Sequence, residues 1–349
     1  MPLPRDLWVT PLAGAVGGYL ASLAGWPLPW MVGSLLAVIV VRCLTNRAFS
    51  ELPGGRKAGQ WLVASGIGLH FTSDVLEQVL SHLPVIVMGA FGTLLLSLIG
   101  IAILRRAGLD RATAFFASMP GGSGEMVNLG ARNGAVLSQV AAAQSLRVLA
   151  VVLCVPALFK FLLGDGVPLN HTGSVSWGWL ALIAPLGVAV ALLWQRLRQP
   201  NPWLFGPLLV AATVSLAGNL QIALPNGASQ IGQWLIGSGL ACHFNRAFFR
   251  RAPSFLGRTL MATALCMAIA ASAAWVLSMM TALDLRSLTL GMMPGGIAEM
   301  SLTAETLQLS VPLVTALQVM RLLLVLFLAE PLFRLWDNRY SSGKPPEDR

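Results

Sequence analysis

MPGGSGEM, Met119 to Met126, returns as MMPGGIAEM, Met292 to Met300, and this pair decides how the chain folds. Pro120 lacks a backbone donor, Gly121 tolerates positive φ, and Pro followed by Gly suits the two central positions of a type II turn. Each copy is flanked by long apolar runs, so the break is expected at membrane depth. An unwound backbone survives there only where protein buries it or where it lines a water-filled cavity. A carboxylate follows each break, Glu125 and Glu299, in a chain with few acidic residues to spare. Paired interruptions at matching positions of two halves point to a transporter binding site. The plainer alternative is a re-entrant hairpin whose glutamates form structural ion pairs.

Composition agrees with membrane depth. Of 349 residues, 56% are hydrophobic and 11% charged, with a mean hydropathy of +0.72, against roughly 25% charged in a soluble domain. Apolar stretches near twenty residues recur, so the chain reads as an all-α polytopic membrane protein. A net charge of +9 in such a chain marks a cytoplasmic face and suits anionic lipid, with no nucleic acid implied. Cys43, Cys154, Cys242 and Cys266 stand singly and read as packing residues. His70, His82, His171 and His243 form no metal-ligand spacing. No metal or cofactor is expected. The first apolar run, Leu7 to Leu23, lacks a clear cleavage site and reads as the first span.

The chain is one unit written twice. LPWMVG, Leu28 to Gly33, recurs as NPWLFG, Asn201 to Gly206, and GQWLVASGIGLHF, Gly59 to Phe71, as GQWLIGSGLACHF, Gly232 to Phe244. After the Pro-Gly-Gly motif, Gln144-x-x-Arg147 matches Gln318-x-x-Arg321. The offset is 233 − 60 = 173 for one glutamine pair and 294 − 120 = 174 for the prolines. The expected division is a first repeat over 1–165, a second over 166–336 and a disordered cytoplasmic tail over 337–349, with a polar linker from Gly164 to Ser176. Each repeat reads as a Gly-rich span, a span opening on Pro-Trp, a short third segment, a fourth span, the hairpin and a last span.

Basic residues set the topology. If each hairpin enters and leaves on one face, Arg42, Arg47, Arg56, Lys57, Arg105, Arg106, Arg111 and Arg132 all face the cytoplasm, as does the matching set from Arg196 to Arg349. Only Lys160 and Arg286 then fall on the far side. The positive-inside rule therefore favours about ten transmembrane helices with both termini inside. An odd number of crossings per half makes the repeats inverted, with substrate sites at their interface.

The candidate site residues are Pro120, Gly121, Gly122, Ser123, Glu125, Asn128, Gln144 and Arg147, and in the second half Pro294, Gly295, Gly296, Glu299, Gln318 and Arg321. Asn128 aligns with Leu302, and Ser123-Gly124 with Ile297-Ala298, so the first hairpin is the more polar. A mid-bilayer charge costs at least roughly 2.5–3.5 kcal/mol and needs a partner or a purpose. The spacing 147 − 125 equals 321 − 299, which would let each Glu reach its own Arg. Three readings stay open: structural Glu–Arg bridges, arginines binding an anionic substrate while the glutamates couple a proton or sodium ion, or glutamates acting as proton relays alone. His70 and His243, at the ends of the third segments, read as interfacial or hydrogen-bonded. The Gly-rich runs carry no phosphate-loop signature.

Two copies of M-P-G-G-x-x-E-M, each preceded by G-Q-W and followed by Q-x-x-R, resemble the AbrB family of bacterial inner-membrane proteins along essentially the whole chain. The resemblance implies a multi-pass inner-membrane protein, in a family labelled variously as transporters, ammonia monooxygenases and membrane regulators of gene expression. The expected function is secondary, ion-coupled transport of a small anionic or zwitterionic metabolite, not an enzyme. The alternative is a membrane-embedded regulator or sensor, and an intramembrane oxidase is the weakest candidate. The expected partners are a small-molecule or ion substrate and the lipid bilayer, with a homodimer as an open assembly state.

Overall fold

The computed structural model describes residues 6–45, 47, 49–163, 173–218, 220–281 and 283–341. Most of the linker over 164–176, His171, Lys344, Arg349 and the extreme termini lie outside the described residues. No strand occurs among the described residues. In the first half run α1 (Asp6–Leu23), α2 (Pro29–Thr45), α3 (Gly55–Leu69), α4 (Ser73–Ser81), α5 (Leu83–Arg106), α6 (Arg111–Ser118), α7 (Ser123–Arg132) and α8 (Leu137–Leu163). The second half follows in the same order with α9 (Trp177–Arg196), α10 (Pro202–Gly218), α11 (Ala228–Ala241), α12 (Arg246–Arg251), α13 (Pro253–Met280), α14 (Leu285–Met292), α15 (Ile297–Thr306) and α16 (Val311–Ser341).

Local chemistry explains the matching boundaries. Pro29 and Pro202 open α2 and α10, where a missing N–H costs nothing. Asp110 and Asp284 cap α6 and α14, accepting from the N–H of Thr113 at 2.9 Å and of Ser287 at 2.8 Å. Gly54 and Gly227 precede α3 and α11 with φ of 74° and 91°, values that favour glycine. Among the described residues five helices, α5, α8, α9, α13 and α16, are long and apolar enough to cross a bilayer. The 15 residues of α3 rise only about 22 Å, short of a hydrocarbon core of about 30 Å. The last span runs further than expected: helix continues from Asp337 to Ser341, where the tail was expected to be disordered.

The chain forms two compact units, each mixing both halves. The first holds the described parts of 1–83, 152–252 and 297–315, the second those of 84–151, 253–296 and 316–349. Within the first unit α1 packs on α2 and α9 on α10, but α3 packs on α10 and α11 on α2, so the halves exchange their third helices. Backbones touch at these crossings. A Cβ on Gly17 would lie 2.2 Å from the Gly33 carbonyl oxygen, and one on Gly59 would lie 2.9 Å from that of Gly232. Gly232 faces Leu62 and Val63 while Gly239 faces Arg56, so α3 and α11 run antiparallel. Trp234, on α11, donates from Nε1 to the Pro11 carbonyl of α1 at 3.0 Å.

The second unit is built around the first hairpin. Phe115, Phe116, Met119 and Met126 are buried with Leu94 of α5, Val140 of α8, and Val325, Ala329 and Phe333 of α16. Val136 N–H donates to Thr113 Oγ1 at 2.7 Å, so the chain leaves the α6–α7 hairpin beside the point where it entered.

Candidate functional site

Each Pro-Gly-Gly break ends a half-helix whose last carbonyls have no intrahelical donor. One glutamine and one arginine, three residues apart on the following long helix, supply the donors. Gln144 Nε2 donates to the carbonyls of Phe116 at 2.8 Å, Ala117 at 3.3 Å and Met119 at 3.0 Å. Arg147 donates from Nη1 to Met119 O at 2.9 Å, and from Nη2 to Gly121 O at 3.3 Å and to Gln144 Oε1 at 2.6 Å. The second repeat copies this. Gln318 Nε2 donates to Gly291 O at 3.0 Å and Met293 O at 3.1 Å. Arg321 donates to Met293 O at 2.8 Å and Gly295 O at 2.6 Å. All four side chains are buried. Positive groups at a helix C-terminus are also favoured by its dipole.

Two expectations from the sequence change here. The break is not a type II turn. Gly121 N–H donates to Met119 O at 2.9 Å and Gly295 N–H to Met293 O at 2.8 Å, so each proline is the centre of a three-residue turn. Neither Gly121 nor Gly295 has positive φ. What Gly121 supplies is space: a Cβ there would sit 2.7 Å from Met126 Cε and 3.0 Å from Val325 Cγ1. The second change is the Glu–Arg bridge. Among the described residues neither Arg147 nor Arg321 is in an ion pair, because main-chain carbonyls take their N–H groups. Glu125, third residue of α7, folds back on its own helix start, where a Cβ on Gly122 would meet its Oε2 at 1.9 Å. Ser123 opens α7, Asn128 is exposed on it, and Glu299 takes the corresponding third position of α15.

The two breaks meet in the second unit at one cavity of about 40 Å³, with Pro120 and Pro294 both in its wall. That is room for roughly three water molecules. The side walls are α5 and α13, each with polar groups one turn apart: Thr93 and Ser97 on one, Thr259, Thr263 and Cys266 on the other. Ser118, Arg147 and Met292 complete it. Arg147 is the charged residue of the wall, and none of the described lining residues is acidic. Arg147 Nε and Ser118 Oγ are buried with no hydrogen-bond partner.

Of the expected residues, Pro120, Pro294 and Arg147 line this cavity, Gln144, Gln318 and Arg321 hold the breaks in shape, and Asn128 does neither. The reading from sequence missed Ser118 and the hydroxyls of α5 and α13. Their i, i+4 spacing was the available signal, but small hydroxyl residues are common packing elements of membrane helices. The two histidines are helix-end caps: His70 Nδ1 lies 2.9 Å from Gly66 O and His243 Nδ1 3.0 Å from Leu240 O. In the first unit a separate, wider cavity of about 610 Å³ is lined by His70, Ser229, Gln230, Glu305 and Gln308 among others.

The family described as transition state regulatory protein AbrB matches residues 30–337, which include both clamps and the whole cavity wall. The chain belongs to the AbrB family. It is 26% identical to the uncharacterized protein YhjN of Bacillus subtilis (strain 168), over 98% of this chain and 96% of that protein. It is also 26% identical to a protein of Escherichia coli (strain K12) named as an AbrB regulator, over 79% of this chain and 81% of that protein. In this AbrB-family chain the Q-x-x-R and Pro-Gly-Gly motifs act as one device. The side chains of the first satisfy the carbonyls that the second strands.

Proposed function

We propose that this AbrB-family protein is a secondary transporter that carries a small anionic or zwitterionic metabolite across the bacterial inner membrane, coupled to an ion. The observation that carries the reading is the charge balance of the cavity. Arg147 lines it beside the first helix break, keeps a buried Nε–H without a partner and faces no acidic wall residue. A buried cation without a counter-ion is costly, and a bound anion relieves that cost. The fold reading that goes with it is about ten crossings with both termini cytoplasmic, in two inverted repeats. The antiparallel packing of α3 on α11 supports the inversion. The carbonyls that would coordinate sodium at an unwound helix are already occupied by Arg147 and Arg321. Proton coupling through Glu125 or Glu299 is therefore favoured over sodium at the breaks.

A second reading, a membrane-embedded regulator that binds without turnover, draws on the name of the Escherichia coli relative. Reconstitution into liposomes separates the two. Radiolabelled small carboxylates are offered with and without an imposed pH gradient, beside Arg147→Ala. Transport predicts gradient-dependent uptake that the substitution abolishes. Saturable binding with no uptake selects the regulator, and neither binding nor uptake removes the cavity from consideration.

A further inference from the structure

Resting on the anion reading above, we propose that the cavity seats one carboxylate group of a short aliphatic monoanion, gripped from the first repeat alone by Arg147 Nε and Ser118 Oγ. The other hydroxyls of the wall have committed their protons. Thr93 donates to Ala90 O at 2.7 Å, Ser97 to Leu94 O at 2.6 Å, Thr259 to Phe255 O at 2.9 Å and Thr263 to Thr259 O at 2.8 Å. Ser118 Oγ alone among these hydroxyls is buried and unpartnered, seated where a Cβ on Gly100 would lie 3.0 Å away. Arg147 is 7% exposed, and its Nε–H is likewise unspent. Two unspent donors on residues lining one cavity match in number the two oxygens of a carboxylate.

The pseudo-symmetric position cannot do the same. The counterpart of Ser118 one repeat on is Met292 (292 − 118 = 174), and it lines the same cavity with a thioether. One repeat therefore supplies the grip, while the other supplies Met292, Ala262 and hydroxyls whose protons are already donated. One lining cation matches one negative charge. A cavity of about 40 Å³ matches a head group of roughly three or four heavy atoms.

The test uses the full-length purified protein, with acetate as probe and sulfate and phosphate as comparators, read by thermal shift and calorimetry. Acetate is expected to stabilise the wild type saturably. Ser118→Ala is expected to weaken acetate about ten-fold or more, the worth of a hydrogen bond to a charged group, and Ser118→Thr, which keeps the hydroxyl, to restore it. Acetate affinity that Ser118→Ala leaves unchanged, with Arg147→Lys still abolishing it, overturns the two-point grip while the anion reading stands. Sulfate or phosphate binding tighter than acetate overturns the monocarboxylate assignment. If none of the three binds the folded wild type, both this inference and the anion reading fall.

Discussion

The carbonyl oxygen of Met119 accepts from Gln144 Nε2, Arg147 Nη1 and the N–H of Gly121, and that of Met293 accepts from Gln318, Arg321 and Gly295. Three donors on one oxygen focus positive potential on the residue before each proline. They hold a turn that water would otherwise have to solvate. Gln144→Glu tests this at constant shape, because it replaces a donor amide with acceptors that face the carbonyls of Phe116, Ala117 and Met119. We expect a loss of about 1–3 kcal/mol, the cost of buried groups left unpaired, seen as a lower Tm in detergent. A stability equal to the wild type would show that the clamp is not needed to hold the break.

Among elements, the pairing of α1 with α2 depends on backbones coming closer than any side chain allows. Gly17 and Gly33 face each other across α1 and α2, and a Cβ on either would fall 2.2 Å from the carbonyl oxygen of the other. Those carbonyls sit in rigid helix and cannot rotate away. Gly17→Ala should therefore cost roughly 1–3 kcal/mol by overpacking, whereas Gly257→Ala, where a Cβ would meet nothing within 4 Å, should gain a few tenths from helix propensity. Thermal unfolding of the two variants side by side checks the sign of each. The half-helices α6 and α14 are 8 residues each, too short to hold in isolation. Their aspartate caps and the Gln–Arg donors bracket them at both ends, which is how a helix this short persists around an unwound turn.

For the whole molecule, inversion makes a sharp statement about two elements that occupy the same place in the two halves. Helix α4 should lie outside the membrane and α12, with Arg246 and Arg250, inside. A membrane-impermeant maleimide should label a cysteine introduced at Glu77 in intact spheroplasts. It should reach one at Ala247 only after lysis. Labelling of both from the same side would mean that the repeats run parallel, and the positive-inside argument would fail with it.

The duplicated motif, the helical class and the identity of the polar residues that matter were legible in one dimension, because membrane burial imposes them locally. A break must be Pro-Gly-rich, a span must be apolar, and a polar residue inside must have a reason. Pairing was not legible. The equal spacing of 22 residues between glutamate and arginine allowed a bridge as one of three readings, yet Arg147, on α8, turns to the carbonyls of Met119 and Gly121 at the break itself. The stranded acceptors there outcompete a carboxylate that folds back onto its helix start. The turn type was also misread, since glycine at position 121 answers to the approach of Met126 and Val325 and not to its own φ. Only the tertiary structure decided that both breaks open on a single cavity and that the lining residues Arg147 and Ser118 keep donors unspent. Those facts depend on which helix faces lie together, and sequence spacing within a helix does not encode distances between helices.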